Sequence, residues 1–251
     1  MPSKTLIAIK NLSTVVTDAA VAKALPAFQQ QVSTDFCGTW GIDATLKLVG
    51  KKSRTPPGAW LLGIFDDADQ AGALGYHDLT SGGLPLGKVF AKTTLDNGGL
   101  WTVTFSHELL EILADPNINL CAFDEGNRRL YAYEVCDAVE ADKLGYVING
   151  VTVSDFVLPG WFEPTHITKN ERFAFKSRVT APFQLLAGGY IGYFDLGGGG
   201  WQQLTAREAS DARQMTARSS PPAAYEARPR VGSRRERRRL VKTQWLVSTA
   251  D

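Results

Sequence analysis

The sequence predicts an α+β fold, a mixed sheet with an edge strand packed on one helix, followed by a β-rich segment and a basic tail. Three observations predict it. Strand-like and helix-like patterns alternate through the first 90 residues, the stretch "TFSHELLEILADP" is an amphipathic helix, and short strand-and-turn segments then run to about residue 200, ahead of an arginine-rich end. A chain of 251 residues with 44% apolar side chains can bury a sizeable core.

The elements follow in order. "TLIAIKNL" reads as a first strand, and "TDAAVAKALPAFQQQVSTDF" as a helix with Val21, Leu25, Phe28 and Val32 near helical spacing and a bend predicted at Pro26. "ATLKLVG" alternates like a strand, and "AWLLGIF" is a compact buried one. "DDADQAGALGYHDLTSGGLPLG", rich in Gly and Asp, is predicted as loop, and "KVFAKT" as a short edge strand. The "HELLE" helix comes next, with Leu109, Leu110, Ile112 and Leu113 as its apolar stripe. "LYAYEVCDAVE" predicts a strand running into a turn or short helix, and "GYVINGVTVSDFV", "PGWFEP", "RFAFKSRV" and "PFQLLAGGYIGYFDLGGGGW" predict short strands and turns. This places a globular domain at residues 1–200 and a linker with a basic C-terminal tail at 201–251.

The formal net charge of +1 hides an asymmetry. Arg228, Arg230, Arg234, Arg235, Arg237, Arg238, Arg239 and Lys242 supply 8 of the 27 basic residues; without them, Glu236 and Asp251, the rest carries 19 basic against 24 acidic residues. The N-terminal stretch lacks a long apolar core and a small-residue cleavage site, which argues against a secretory signal, and no apolar run approaches the roughly 20 residues of a membrane span. Cys37, Cys121 and Cys136 are odd in number and lack CxxC spacing, which argues against a disulfide framework and a thiolate zinc site. A reducing compartment is expected, cytoplasmic or virion-associated, with no membrane partner.

The chemistry centres on "HELLE". Positions four apart share a helix face, so His107 and Glu111 can reach one ion, while Glu108, about 100° around, can reach a water on that ion. Zinc accepts carboxylate oxygen as well as imidazole nitrogen, and the carboxylate moves preference towards harder ions such as Mn2+ or Ca2+. The third ligand is sought in "YEVCDAVE", where Glu134 and Asp137 could face the same ion if that turn is helical; Glu140 is also nearby. The competing reading is a surface helix whose His and Glu residues form a solvated face opposite the leucines. The order of helix, strands, Gly-rich loop, edge strand and HExx helix is the order that zincin-type zinc peptidases use, which is an analogy of fold.

The series "SHELLEILADP", "YEVCDAVE" and "GYVINGVTVSDFVLPGWFEP" resembles the HExxE, [DN]P, E[IV]xD, NG and WxxP motifs of the phosphate-induced (exordium-like) plant cell-wall proteins. It is also similar to bacterial and phage proteins carrying HExxE followed by Asp-Pro. The resemblance covers roughly residues 100 to 165. It implies a zincin-like metal site with His107 and Glu111 as ligands, Glu108 as the water-activating base, and Glu134 or Asp137 completing the shell. Asp115 would cap the helix end or hold a ligand by a hydrogen bond. The chain departs from the plant proteins in lacking their secretory signal and in the placement of the cysteine, here Cys136.

Other residues are read more plainly. His77 and His166 are loop residues, with metal ligation as the alternative at each, and Trp161, Phe162, Tyr190, Tyr193 and Phe194 are core or sheet-face aromatics. Cys136 is expected to be buried, and "LGGGGW" lacks the Lys-Ser/Thr of a phosphate loop. Two functions follow. The first is a metal-dependent hydrolase, a zinc metallopeptidase whose edge strand around "GKVFAKT" holds a peptide or protein substrate by strand addition. The second is an inactive structural or assembly protein, such as a phage virion component, whose Arg234, Arg235, Arg237, Arg238 and Arg239 contact nucleic acid or an acidic neighbouring protein.

Overall fold

The computed structural model describes residues 4–70, 72–163 and 171–206. Strand β1 (Thr5–Asn11) is an inner strand of a five-stranded sheet, parallel to β2 (Ala44–Val49) on one side and β3 (Trp60–Phe65) on the other. Ile7, Ala8 and Ile9 are all fully enclosed, because a parallel strand in this position is covered on both faces. Between β1 and β2 runs a helical stretch that supplies one cover. Thr17 caps α1 (Asp18–Gln30) by accepting a hydrogen bond from the Ala20 amide, and Val21, Ala24, Ala27 and Phe28 turn inward. The helix continues through Pro26. Its register changes later, in a wider π-type turn over Gln31–Phe36, before α2 (Cys37–Trp40) ends on Gly41 in the left-handed region at φ 69°.

The Gly/Asp-rich stretch predicted as loop contains a strand. β4 (Gly75–Leu79) pairs antiparallel with β5 (Pro85–Phe90) across a turn in which the Gly83 amide donates to the Thr80 carbonyl, giving the sheet order β2-β1-β3-β5-β4. The edge is therefore β4, and "KVFAKT" divides between the inner strand β5 and a short helix α3 (Ala91–Asp96). Composition misled here because a hairpin tip and an edge strand both favour Gly and polar residues.

Helix α4 (Trp101–Ala114) packs on β4 and β5. It ends at Asp115-Pro116, where proline restricts the preceding residue away from helix. Beyond it, β6 (Cys121–Asp124), β7 (Arg129–Ala132), β10 (Tyr190–Asp195) and β11 (Gly200–Thr205) form an antiparallel sheet in the order β11-β10-β7-β6. A separate hairpin, β8 (Tyr146–Ile148) and β9 (Val151–Val153), turns on Asn149-Gly150, both at positive φ as a type I′ turn requires. Strand β9 lies against α4. One hydrophobic cluster, running in sequence from Ile7 to Leu204, joins the two sheets. The molecule is thus mixed α+β. Strand β11 takes in residues that the sequence assigns to the linker, because Leu204 adds to the core even though its neighbours are polar. His166 and the arginine run of the tail lie outside the described residues. Among the described residues no helix is long and apolar enough to cross a membrane.

Candidate metal centre

Helix α4 is not a surface helix. Every residue from Val103 to Ala114 is buried, so the polar face that would be solvated in an ordinary amphipathic helix is enclosed as well. Its apolar stripe, Leu109, Leu110, Ile112 and Leu113, joins the core as expected. The polar side faces a pocket closed by β4 and by the segment after β7. Six ionisable side chains meet there: His77 is 1% exposed, His107 6%, Glu108 4%, Glu111 2%, Glu134 2% and Asp137 5%. Charged groups are rarely buried unless paired or bound to metal, because desolvation costs several kcal/mol per ion.

The contacts are specific. His107 Nε2 lies 3.3 Å from Glu111 Oε2, as the spacing of four predicts, and 3.2 Å from Asp137 Oδ1. His77 Nδ1 lies 3.5 Å from the same Glu111 oxygen and 3.7 Å from Glu108 Oε2, while His77 Nε2 is 3.6 Å from Glu134 Oε2. The Cys136 amide donates to Glu111 Oε1 at 3.3 Å, which fixes that carboxylate and turns its other oxygen towards both imidazoles. Within "YEVCDAVE" the 3-10 turn covers Asp137–Val139 alone, so Glu134 and Asp137 do not share one helical face: Glu134 goes to His77 and Asp137 to His107.

Backbone packing brings these groups together. His77 pairs across the hairpin with Gly87. A Cβ at Gly75 would lie 2.6 Å from Glu108 Oε1 and 2.9 Å from the Lys88 carbonyl. The absence of a side chain at Gly75 is what lets the first turn of the HExxE motif approach the edge strand. The Gly/Asp surroundings of His77 predict a loop, whereas the residue lies in β4. The signal that places it is the Gly-Tyr-His-Asp-Leu run, two residues either side of His77, joined by a Ser-Gly-Gly tip to "PLGKVF", a hairpin pattern.

Protonation reflects the crowding. Burial alone would pull the His107 pKa down, but the Glu111 charge and the hydrogen bonds the imidazole donates to Asp137 and Glu111 outweigh it and hold the imidazole well above its usual range. Burial pushes Glu111 up, and the charge of His107 reverses this, leaving it well below the usual carboxylate range. Asp137 goes the other way: burial and the Glu111 charge raise it well above the usual range, against the pull of His107. Burial likewise lifts Glu140 to about 6 and the Cys136 thiol well above its ordinary value, which argues against Cys136 as a nucleophile. Tyr190, read from sequence as a core or sheet-face aromatic, opens β10 beside this acidic segment. Burial of its phenol, and then the charges of Asp137, Glu140, Glu111 and Glu108, keep it protonated.

Among the described residues, two groups of buried side chains could hold a metal ion: His107, Glu111 and Cys136, and His77, Glu111 and Glu134, with the donor atoms of each group within 4.8 Å of one another. Tetrahedral bonds of about 2.0–2.1 Å place neighbouring donors about 3.3 Å apart, close to the nitrogen–oxygen separations above. Asp115 has a different task. Its carboxylate accepts the amides of Asn119 at 3.0 Å and Leu120 at 3.1 Å, pinning the turn after α4. Asp115→Ala is expected to lower stability by about 1–2 kcal/mol, measured by urea unfolding, and to leave metal content unchanged.

No family model, curated protein or solved structure gives a significant match to this chain.

Proposed function

We propose that this chain is a metal-dependent hydrolase with a zincin-like arrangement, acting on peptide bonds through a zinc or manganese ion held by His107, Glu111 and Asp137. The observation that supports it most is the full burial of the HExxE face, where the carboxylates of Glu111 and the neighbouring Asp137 meet, among the basic side chains of the described residues, histidines alone. A divalent cation would relieve that excess of negative charge. The spacing around His107 suits an ion: its Nε2 lies 3.3 Å from a Glu111 oxygen and 3.2 Å from an Asp137 oxygen, on a helix turn and a 3-10 turn that hold them.

When bound, the ion supplies a Lewis acid and a water of lowered pKa. The protein supplies the rest. Glu108, on the same turn but directed towards β4, accepts a proton from the attacking water and passes it to the leaving amine. Strand β4, with one side at the edge of the sheet, holds an extended substrate by strand addition, in place of "GKVFAKT".

The test is a peptide mixture incubated with zinc- or manganese-loaded protein and read by mass spectrometry. Cleavage that 1,10-phenanthroline stops and added metal restores is the expected result. Metal-loaded protein that leaves every peptide intact would overturn the hydrolase reading and favour a structural role for the ion.

A further inference from the structure

Resting on the metal reading above, we infer that the pocket binds two divalent cations, bridged by Glu111, with the second ion held by His77, Glu111 and Glu134. Three observations point there. First, a single oxygen, Glu111 Oε2, is approached from two sides, by His107 Nε2 at 3.3 Å and by His77 Nδ1 at 3.5 Å. The other oxygen is occupied by the Cys136 amide. A carboxylate anchored through one oxygen and facing two imidazoles with the other is the arrangement of a bridging ligand.

Second, His77 is enclosed to 1% exposure, yet neither ring nitrogen makes a hydrogen bond to the protein. A neutral imidazole has one donor and one acceptor, and leaving both unmet in a buried pocket is unfavourable. Its Nδ1 lies 3.5 Å from Glu111 Oε2 and its Nε2 3.6 Å from Glu134 Oε2, and the three residues bring one donor atom each to within 4.8 Å of one another, so an ion among them would take one ring nitrogen. His77 stands on β4, whereas His107 stands on α4, so the two candidate groups come from different elements and share only Glu111.

Third, a second ion offsets more of the buried charge. With Glu111, Glu134 and Asp137 ionised as ligands, Glu108 ionised as the base and both imidazoles neutral, one divalent ion leaves two of these four negative charges uncompensated, and two ions leave none. Paired ions of this kind sit about 3.5–4 Å apart, and the oxygen-rich donor set suits manganese as well as zinc.

The experiment is to strip the full chain with chelator, dialyse it against Mn2+, and measure bound metal together with the electron paramagnetic resonance spectrum, for wild type, His77→Gln and Glu134→Gln. The expected result is about two equivalents and an exchange-coupled spectrum in wild type, falling to about one equivalent and an uncoupled six-line spectrum in both variants. Circular dichroism checks that each variant is folded, and the wild-type stoichiometry and coupling need no variant at all. About one uncoupled equivalent in wild type overturns the second site: its retention in His77→Gln leaves the single-ion hydrolase at His107 intact, and its loss there overturns that placement of the ion as well. No bound metal in wild type overturns both.

Discussion

Glu108→Gln is expected to lower kcat for peptide hydrolysis by about 10²–10⁴-fold while leaving bound metal unchanged. The substitution keeps the shape of a side chain that is almost completely enclosed and abuts Gly75, so it adds no clash and opens no cavity. What it removes is the ability to accept a proton. Glu108 belongs to neither candidate donor group, which is why metal should stay when activity goes. Steady-state kinetics beside elemental analysis separate the roles. Unchanged kcat would remove Glu108 from the chemistry, and loss of metal would make it a ligand instead of a base.

Glu111→Gln should have the largest effect on metal itself. Its amide oxygen can still accept the Cys136 amide, so the local fold is preserved, but the charge and the shared ligand oxygen are lost. Removing an outer partner of a metal ligand typically weakens binding 10–100-fold, and removing the central ligand is expected to weaken it by at least about 100-fold, read by metal titration. Stability follows by linkage. A ligand present at about 100 times its Kd stabilises by about 2.7 kcal/mol, and for a chain of this size each kcal/mol moves Tm by about 2–4 °C. Chelation should therefore lower the wild-type Tm by about 5–10 °C and leave Glu111→Gln unmoved. A chelator-induced shift that survives in Glu111→Gln would place the ion elsewhere.

Metal binding should also release protons. Without an ion, His107 is held protonated by its carboxylate neighbours and Asp137 is held protonated by burial and the Glu111 charge. An ion between them must displace both protons, so affinity is expected to rise with pH through the neutral range, observable as proton release in weakly buffered titrations.

Much of this site was legible in the sequence because the relevant spacing is local. His107 and Glu111 are one turn apart whatever surrounds the helix, and the strands before it carry enough consecutive aliphatic residues to be read directly. The parts that were not legible depend on distant chain segments. Burial of the polar helix face is one, since His and Glu opposite a leucine stripe have the same pattern whether water or β4 covers them. The place of His77 is another: Gly75 and Gly87 look like loop residues until the hairpin shows that they make room for Glu108 and for the sheet to meet the helix. The division of Glu134 and Asp137 between two histidines follows from a 3-10 turn that begins only at Asp137. In the same way the polar alternation of "GWQQLT" conceals β11, which is a strand because β10 pairs with it.

The most direct test is elemental mass spectrometry of wild-type protein purified without added metal, beside His107→Ala. The account predicts about one equivalent or more of zinc or manganese in wild type, with the ion at His107 lost in the variant. Wild-type protein that carries no divalent metal, and takes up none after zinc or manganese reconstitution, would contradict it and leave the buried carboxylates balanced by protons alone.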